Sequence, residues 1–255
     1  MVLTEQLSSA AALPIVWEVH FALNSKGGVG KSLASCFKAQ HKIARGERVL
    51  CFDADATTAT FSGFTALGVR RIELRDGLAI NERRLDEIMN PLLLEPAHII
   101  LDTGASTYTV FANYLIENDV IAAIQAHGKR VIVHAIVVGG ATLIETLGDL
   151  DNLASQLPGE VILVVWKNEH FGPIISPDGK PFEQMEVYLR HRQRIHALIH
   201  LPQRTVATFG ADVAHMMKRQ QTFDQAIDDP ATTLMAKQRL KLMRDDIFRQ
   251  FDAAF

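Results

Sequence analysis

The residues with the clearest potential for chemistry form one continuous stretch, Asn24-Ser25-Lys26-Gly27-Gly28-Val29-Gly30-Lys31-Ser32. The apolar residues 15–23 before it are typical of a buried strand, and residues 33–44 after it have helical spacing without proline or glycine. A strand, a glycine-rich turn and a helix N-terminus together form a phosphate-binding loop, because backbone N–H groups and the helix dipole attract a polyphosphate. The pattern predicts that Lys31 contacts the β- and γ-phosphates of a nucleotide and that the Ser32 hydroxyl binds Mg²⁺.

Acidic residues follow two of the predicted strands, where they can reach a metal ion beside the loop. Asp102 comes directly after Ile99-Ile100-Leu101, the pattern of a Walker B aspartate, and is predicted to bind Mg²⁺ directly or through water. The alternative is that Asp102 only caps the helix that follows. Asp53 and Asp55 alternate along an extended segment, so their side chains point in opposite directions. One of them can face the nucleotide while the other supports the end of the sheet.

The rest of the chain alternates apolar segments of about five residues with segments of helical spacing. Such strands are buried on both faces, which predicts an α/β fold with a mostly parallel, doubly wound sheet and helices on both faces. Ligands of these sheets bind at the carboxyl ends of the strands. The predicted strands cover residues 15–23, 48–52, 69–74, 98–101, 129–138, 161–166 and 198–201. The predicted helices cover residues 33–44, 81–89, 108–117, 120–127, 142–156, 183–198, 212–220 and 231–251, and Pro91 is expected to end the second.

Length and composition describe an ordinary globular chain. It has 255 residues, 48% hydrophobic and 22% charged, with a net charge of −3 that gives no overall attraction to nucleic acid. We expect a single phosphate-loop domain over residues 15–255, after a loose extension over residues 1–14. Two cysteines, Cys36 and Cys51, lie in apolar surroundings and offer no disulfide framework. Without an apolar run of about 18 residues or a secretory leader, we expect a cytoplasmic protein.

The stretch Lys26-Gly27-Gly28-Val29-Gly30-Lys31-Ser32 resembles the deviant Walker A loop of the ParA/MinD family of dimeric ATPases. The resemblance implies that the chain binds ATP and Mg²⁺, forms a homodimer on ATP binding, and hydrolyses ATP slowly, stimulated by a partner. It also implies that Lys26 crosses to the phosphates of the other subunit, as a cation delivered in trans to transition-state charge. The alternative is a solvated loop lysine. Ser25 departs from the usual loop, which begins with glycine.

The same resemblance assigns roles to further residues. It implies three catalytic residues: Lys26, Lys31 and Asp55. Asp55 is expected to position the attacking water, although the reverse assignment of Asp53 and Asp55 stays open. Three residues are expected to hold Mg²⁺: Ser32, Asp53 and Asp102. Asn168 follows a strand where the family reads adenine with an amide, and ATP is favoured over GTP because no aspartate follows it nearby; the alternative is a turn residue. The residues implied to bind the nucleotide are Lys26, Gly27, Gly28, Val29, Gly30, Lys31, Ser32, Leu33 and Asn168.

Further stretches are similar to a narrower group, the ParA-like ATPases of conjugative plasmids called TraL or StbC. They include Ala59-Thr60-Phe61-Ser62-Gly63-Phe64, Leu101-Asp102-Thr103-Gly104-Ala105-Ser106 and Val164-Val165-Trp166. This resemblance implies a dimerising switch ATPase in plasmid conjugative transfer or in plasmid maintenance and positioning, with a protein partner from that machinery. Two other functions stay open: a non-hydrolysing nucleotide-binding scaffold, and a metabolic ATPase on the same fold. Ala56 stands where many family members have proline, which leaves the shape of the next loop open.

Two surface segments bear on partners. Arg190, Arg192 and Arg194 form a basic cluster, which His196, His200 and Arg204 are expected to extend. Such a cluster can bind DNA without sequence preference, or it can be a solvated helix face. The last predicted helix places Leu240, Met243, Ile247 and Phe251 three or four residues apart and mixes acids with bases on its polar side. That mixture favours packing in the core or in a dimer over membrane binding.

Overall fold

A seven-stranded sheet forms the centre of the molecule, and every neighbouring pair of its strands is parallel. The computed structural model describes residues 16–77 and 79–255. The strands in chain order are β1 (Glu18–Ala22), β2 (Val49–Ala54), β3 (Arg70–Arg71), β4 (Arg75–Asp76), β5 (Ala79–Ile80), β6 (His98–Thr103), β7 (Arg130–Val138), β8 (Ile162–Asn168) and β9 (Ile195–Leu201). The large sheet has the order β3-β2-β6-β1-β7-β8-β9, and β4 and β5 form a separate antiparallel pair. The predicted α/β class with a parallel sheet is therefore confirmed.

Helices follow most strands and return the chain to the end of the sheet at which the strands begin. They are α1 (Lys31–Ala44), α2 (Asp86–Leu94), α3 (Tyr108–Glu117), α4 (Val120–Ala126), α5 (Leu143–Gln156), α6 (Glu186–His191), α7 (Ala211–Lys218), α8 (Phe223–Asp228) and α9 (Leu234–Ala254). Because β1 lies between β6 and β7, the chain winds outward from the centre in both directions. The crevice expected for a ligand in such a sheet lies where this winding reverses, at the carboxyl end of β1.

Alternate side chains of the central strands enter two different apolar cores. Along β7, Val131 and Val133 pack into the core beneath α2 to α5. Ile132 and Ile136 of the same strand pack into the core beneath α1, α8 and α9. Helices therefore cover both faces of the sheet, as predicted. One consequence for the site is that α1 and α5 approach the end of β1 from opposite faces.

The basic segment after β8 differs from the prediction. The helix predicted over residues 183–198 is wrong, because α6 ends at His191 and β9 begins at Ile195. β9 pairs in parallel with β8 and completes the edge of the sheet, and this pairing outweighs the local helical pattern. In the turn between α6 and β9, the Arg194 guanidinium donates to the carbonyl oxygens of Leu157 and Gly159, at 3.1 and 2.6 Å.

Two smaller differences concern the segment between β2 and β6. Pro91 lies inside α2 and does not end it, because a proline removes only one helical N–H while Ile88 and Leu92 stay fully buried. The strand predicted over residues 69–74 is reduced to β3. Asn81 caps the start of this segment: its side chain accepts the Arg83 N–H at 3.1 Å, at the start of a 3₁₀ turn that leads into α2.

The last helix, α9, packs its apolar face inward. Leu240, Ile247 and Phe251 are at most 2% exposed, which confirms the interior-facing interpretation. Within the described part of the chain, no helix has the length and apolarity needed to cross a membrane. Cys36 and Cys51 are free and buried, as predicted. The expected extension over residues 1–14 lies outside the described residues, and the single-domain arrangement stays a prediction.

A line of hydrogen bonds crosses three central strands. Trp166 Nε1 on β8 donates to His134 Nδ1 on β7 at 3.0 Å, since an indole N–H can only donate. The His134 proton is therefore on Nε2, 3.0 Å from His20 Nδ1. The His20 proton is in turn on its Nε2, 3.2 Å from Glu18 Oε2. Every donor of this line points toward Glu18, a carboxylate at the amino end of β1.

The surroundings of Glu18 form an ion network. Glu18, His20 and His98 lie close enough together to share a metal ion. However, the Lys42 ammonium lies 2.8 Å from a carboxylate oxygen of Glu18 and 2.8 Å from one of Glu47, so a lysine already supplies the positive charge. His20 also presents its proton, and not its lone pair, to Glu18. These residues therefore support the amino end of the sheet.

Candidate functional site

The predicted phosphate loop lies at the carboxyl end of β1 and leads into the first residue of α1. Gly28 and Gly30 have φ angles of 76° and 108°, which residues with a side chain rarely adopt. The loop opens onto a cavity of about 530 Å³, lined by Lys31 and Ser32 of the loop, by Asp55 after β2 and by Thr103 of β6. The fold thus brings three strand ends around one space, and a lysine, hydroxyls and a carboxylate line it.

Ser32 lines this cavity and makes a close polar contact with Asp102, which is fully buried beside it. Ser32 Oγ donates to Asp102 Oδ2 at 2.5 Å, and Ser35 Oγ donates to Asp102 Oδ1 at 3.1 Å. Burial raises the pKa of Asp102 to about 7, against the lowering effect of the Ser32 hydrogen bond. A buried carboxylate beside a hydroxyl oxygen fits Mg²⁺, which prefers oxygen ligands and favours the ionised carboxyl. Ser35 was not predicted, although its spacing from Ser32 on one helix face is a signal.

The two lysines of the loop have different surroundings. Lys31 is 6% exposed, and its Nζ donates to the Lys26 carbonyl oxygen at 2.8 Å. Burial lowers the pKa of Lys31, and nearby carboxylates, Asp102 foremost, oppose that shift. The Lys26 side chain is 39% exposed, and its Nζ lies 2.7 Å from Glu145 Oε2 in the first turn of α5. Lys26 does not line the cavity. Lys31 therefore lines the cavity of its own loop, whereas the Lys26 ammonium lies outside that cavity.

The two aspartates after β2 have separate contacts, as their alternation predicts. Asp53 is fully buried and accepts the backbone N–H groups of Asp55 and Ser62, at 3.0 and 2.7 Å. Asp55 lines the cavity and accepts the N–H groups of Thr57 and Thr58, at 2.8 and 3.2 Å. Asp53 thus anchors both ends of the loop over residues 55–62. Its place at Mg²⁺ stays a prediction.

Gly104, in the turn after β6, lies directly against the Asp55 side chain. A Cβ atom at this position would come within 2.4 Å of Asp55 Oδ1 and 2.6 Å of its Cγ, closer than real Cβ atoms approach other atoms. The missing side chain therefore leaves the space that the Asp55 carboxylate occupies. The turn that follows Asp102 and the loop that follows Asp55 fit together through this glycine.

A second cavity, of about 270 Å³, adjoins the loop on the side of β8 and β9. Side chains that include Phe171, Phe209 and Met217 line it and suit the flat faces of a nucleotide base. Asn168 lines it too, but its Nδ2 donates to the Val29 carbonyl oxygen at 2.9 Å and its Oδ1 accepts the His170 N–H at 3.1 Å. Asn168 therefore braces the turn and the phosphate loop, and its reading of adenine stays a prediction.

The first residues of the loop are held by α5, a contact that was not predicted. Asp149 is 5% exposed and accepts hydrogen bonds from the Ser25 N–H at 2.9 Å, Ser25 Oγ at 2.6 Å and Asn24 Nδ2 at 3.2 Å. Asn24 also bonds both backbone groups of Ile136 on β7, at 3.0 and 2.8 Å. Asp149 follows Ser25 by 124 residues, so no local pattern indicates the contact.

The basic cluster lies at the amino end of β9, away from the cavity. Arg190 pairs with Asp151 at 3.0 Å and with Glu186, and Arg194 donates to backbone carbonyls, whereas Arg192 is exposed and forms no ion pair with the residues that the structure describes. The expected extension to His200 and Arg204 is wrong, because β9 separates them from the cluster by about 20 Å. DNA binding by Arg190, Arg192 and Arg194 stays a prediction.

Comparison with known proteins finds relatives along almost the whole chain. Two Escherichia coli proteins, both named Protein TraL, are each 40% identical to this chain over 237 residues, which span 93% of this chain and 98% of each relative. A solved plasmid partition protein from Borrelia burgdorferi B31, bound to AMPPNP, has a TM-score of 0.51 and 14% identity, covering 94% of this chain and 100% of that one. At that identity the likeness shows a shared fold. No family model matches the chain.

Proposed function

Because this chain belongs to the TraL family, we propose that it is a Mg²⁺-dependent ATPase switch that acts in plasmid conjugative transfer or in plasmid maintenance and positioning. Two copies close on two ATP molecules, and hydrolysis lets them separate. A protein partner of the transfer or segregation machinery stimulates hydrolysis, and the switch works in the cytoplasm, where its two free cysteines stay reduced.

The observation that carries this proposal is the different placement of the two loop lysines. Lys31 lies in the cavity and is almost fully buried, so it is placed to neutralise the phosphates of its own loop. Lys26 is 39% exposed and lies outside the cavity, where a second molecule can approach it. A cation at that position can act on the phosphates of a facing subunit. The predicted trans role of Lys26 is therefore compatible with its surroundings.

The remaining residues have complementary tasks. Ser32 and Asp102 would hold Mg²⁺, which would supply charge neutralisation at the phosphate oxygens. Lys31 orients the terminal phosphates. Asp55 accepts a hydrogen bond from the attacking water and orients that water. The hydrogen bonds that Asp55 accepts from the Thr57 and Thr58 N–H groups fix the orientation of its carboxylate. Without a partner, hydrolysis of this kind proceeds at roughly 10⁻³ to 10⁻² per second.

The test compares three lysine variants. Lys31→Ala should abolish binding of a fluorescent ATP analogue. Lys26→Ala should leave binding to the monomer intact, but lose both ATP-dependent dimerisation in sedimentation velocity and phosphate release. Lys241→Ala, an exposed lysine on α9, is the matched control and should behave as the wild type. Normal turnover by Lys26→Ala would refute the trans role, and turnover by a protein that stays monomeric would refute the dimeric switch.

A further inference from the structure

We propose that Asp149 is the positioning residue for Lys26: by holding Ser25, its carboxylate fixes the direction in which Lys26 leaves the loop. This inference rests on the proposed function, in which Lys26 acts on the phosphates of a second subunit. It adds a residue far along the chain, on α5, to the machinery of the loop.

The contact has the features of a rigid attachment. Asp149 is 5% exposed, and it accepts three hydrogen bonds from Asn24 and Ser25, at 2.6 to 3.2 Å. Bonds to a carboxylate are shorter and stronger than bonds between neutral groups. Asn24 is tied to β7 by two further bonds to Ile136, so the carboxylate joins the loop to both the sheet and α5.

Ser25 gives this attachment a second point. A usual phosphate loop has glycine at this position, and a glycine offers only its backbone N–H. Here the N–H of Ser25 bonds Oδ2 of Asp149, and its Oγ bonds Oδ1 of the same carboxylate. Two bonds between one residue and one carboxylate fix the orientation of Ser25, and with it the peptide bond that leads to Lys26.

The same face of α5 also reaches the next residue of the loop. Glu145 lies one helical turn before Asp149 and pairs with the Lys26 ammonium at 2.7 Å. On the other side, Lys31 Nζ donates to the Lys26 carbonyl oxygen at 2.8 Å. The backbone of Lys26 is thus held from both sides, while its side chain remains partly exposed. Such preorganisation lets the ammonium reach a fixed point on a second subunit, and an error of about 1 Å there can cost roughly 100-fold in rate.

The decisive variants are Asp149→Asn and Ser25→Gly. Asp149→Asn removes the negative charge and one of the two acceptor oxygens, so the loop keeps at most weaker hydrogen bonds between neutral groups, whereas Ser25→Gly removes only the hydroxyl contact. We expect unchanged affinity of the monomer for a fluorescent ADP analogue. We expect turnover at saturating ATP to fall about 10- to 100-fold for Asp149→Asn, and by less for Ser25→Gly. Glu160→Gln, an exposed acid just after α5, is the control and should keep wild-type turnover.

A double-mutant cycle separates positioning from a general structural role. If Asp149 acts through Lys26, Asp149→Asn should cause no further loss of the residual hydrolysis that a Lys26→Ala background retains, followed under single-turnover conditions at high protein concentration. Additive losses, or loss of nucleotide affinity in the single variant, would overturn the inference. If Lys26→Ala itself turns over normally, the proposed function has failed first. If Asp149→Asn does not fold, the same cycle with Ser25→Gly decides.

Discussion

Gly104→Ala should displace the Asp55 carboxylate first, and it should also press on the Asp55 Cα atom, which would lie 3.1 Å from the new methyl group. The backbone at 104 is extended, with φ of −78°, so alanine causes no strain there. The new methyl group would start 2.4 Å from Asp55 Oδ1 and 2.6 Å from its Cγ, and because nonbonded atoms settle near 3.5 Å, the carboxylate must retreat by about 1 Å. The bonds from the Thr57 and Thr58 N–H groups, now 2.8 and 3.2 Å, would then exceed hydrogen-bonding range.

These movements give two expected magnitudes. Overpacking of this kind lowers the free energy of unfolding by about 1 to 3 kcal/mol. A misplaced water-positioning group lowers turnover by roughly 100-fold. We would measure urea unfolding for the first quantity and phosphate release at saturating ATP for the second. The control is Gly148→Ala, because Gly148 lies inside α5 with no atom within 4 Å of a Cβ; it should raise stability by about 0.5 to 1 kcal/mol.

Introducing Gly104→Ala into an Asp55→Ala variant tests whether the clash with the Asp55 carboxylate causes the loss of stability. Without the Asp55 carboxylate the methyl group has lost its main obstacle, and Gly104→Ala should then cost much less stability than in the wild type. An equal cost in both backgrounds, or unchanged turnover of Gly104→Ala, would refute this account of how the two turns fit together.

Two further predictions concern acid stability and DNA. Burial lowers the pKa of His20 to about 3, against the raising effect of its hydrogen bond with Glu18. The unfolded chain takes up that proton near pH 6.5, so stability should fall as pH drops from 7 to 5, by about 2 kcal/mol from this histidine. His20→Gln, whose amide can keep both hydrogen bonds, should flatten the pH dependence of urea midpoints, and an unchanged slope would contradict the assignment. Asp55→Ala with ATP should bind non-specific duplex DNA, and Arg192→Ala should weaken that binding and reduce its salt slope by about one, unlike the exposed control Arg249→Ala; equal binding with ADP would contradict a nucleotide-controlled site.

The sequence predicts the parts of the site whose signals are local. The strand, loop and helix around Lys31 are continuous in the chain, and Asp55 and Asp102 directly follow apolar strands, so topology alone brings them together at the carboxyl edge. Contacts between distant segments have no such signal. Asp149 on Ser25 and Gly104 against Asp55 depend on how α5 and two turns pack. The helix predicted over 183–198 failed for the same reason, because the free edge of β8 selects β9.

The hydrogen-bonded line from Trp166 through His134 to His20 has a consequence for how the sheet assembles. It joins β8, β7 and β1, which lie side by side although long connections separate them in the sequence. A slip of one residue between parallel strands turns every side chain to the opposite face, while the apolar pattern of these strands hardly distinguishes the two alignments. Slipping here would leave an indole N–H and two imidazoles buried without partners. The line therefore selects one alignment of the three strands, and with it the height at which the end of β1 presents the phosphate loop.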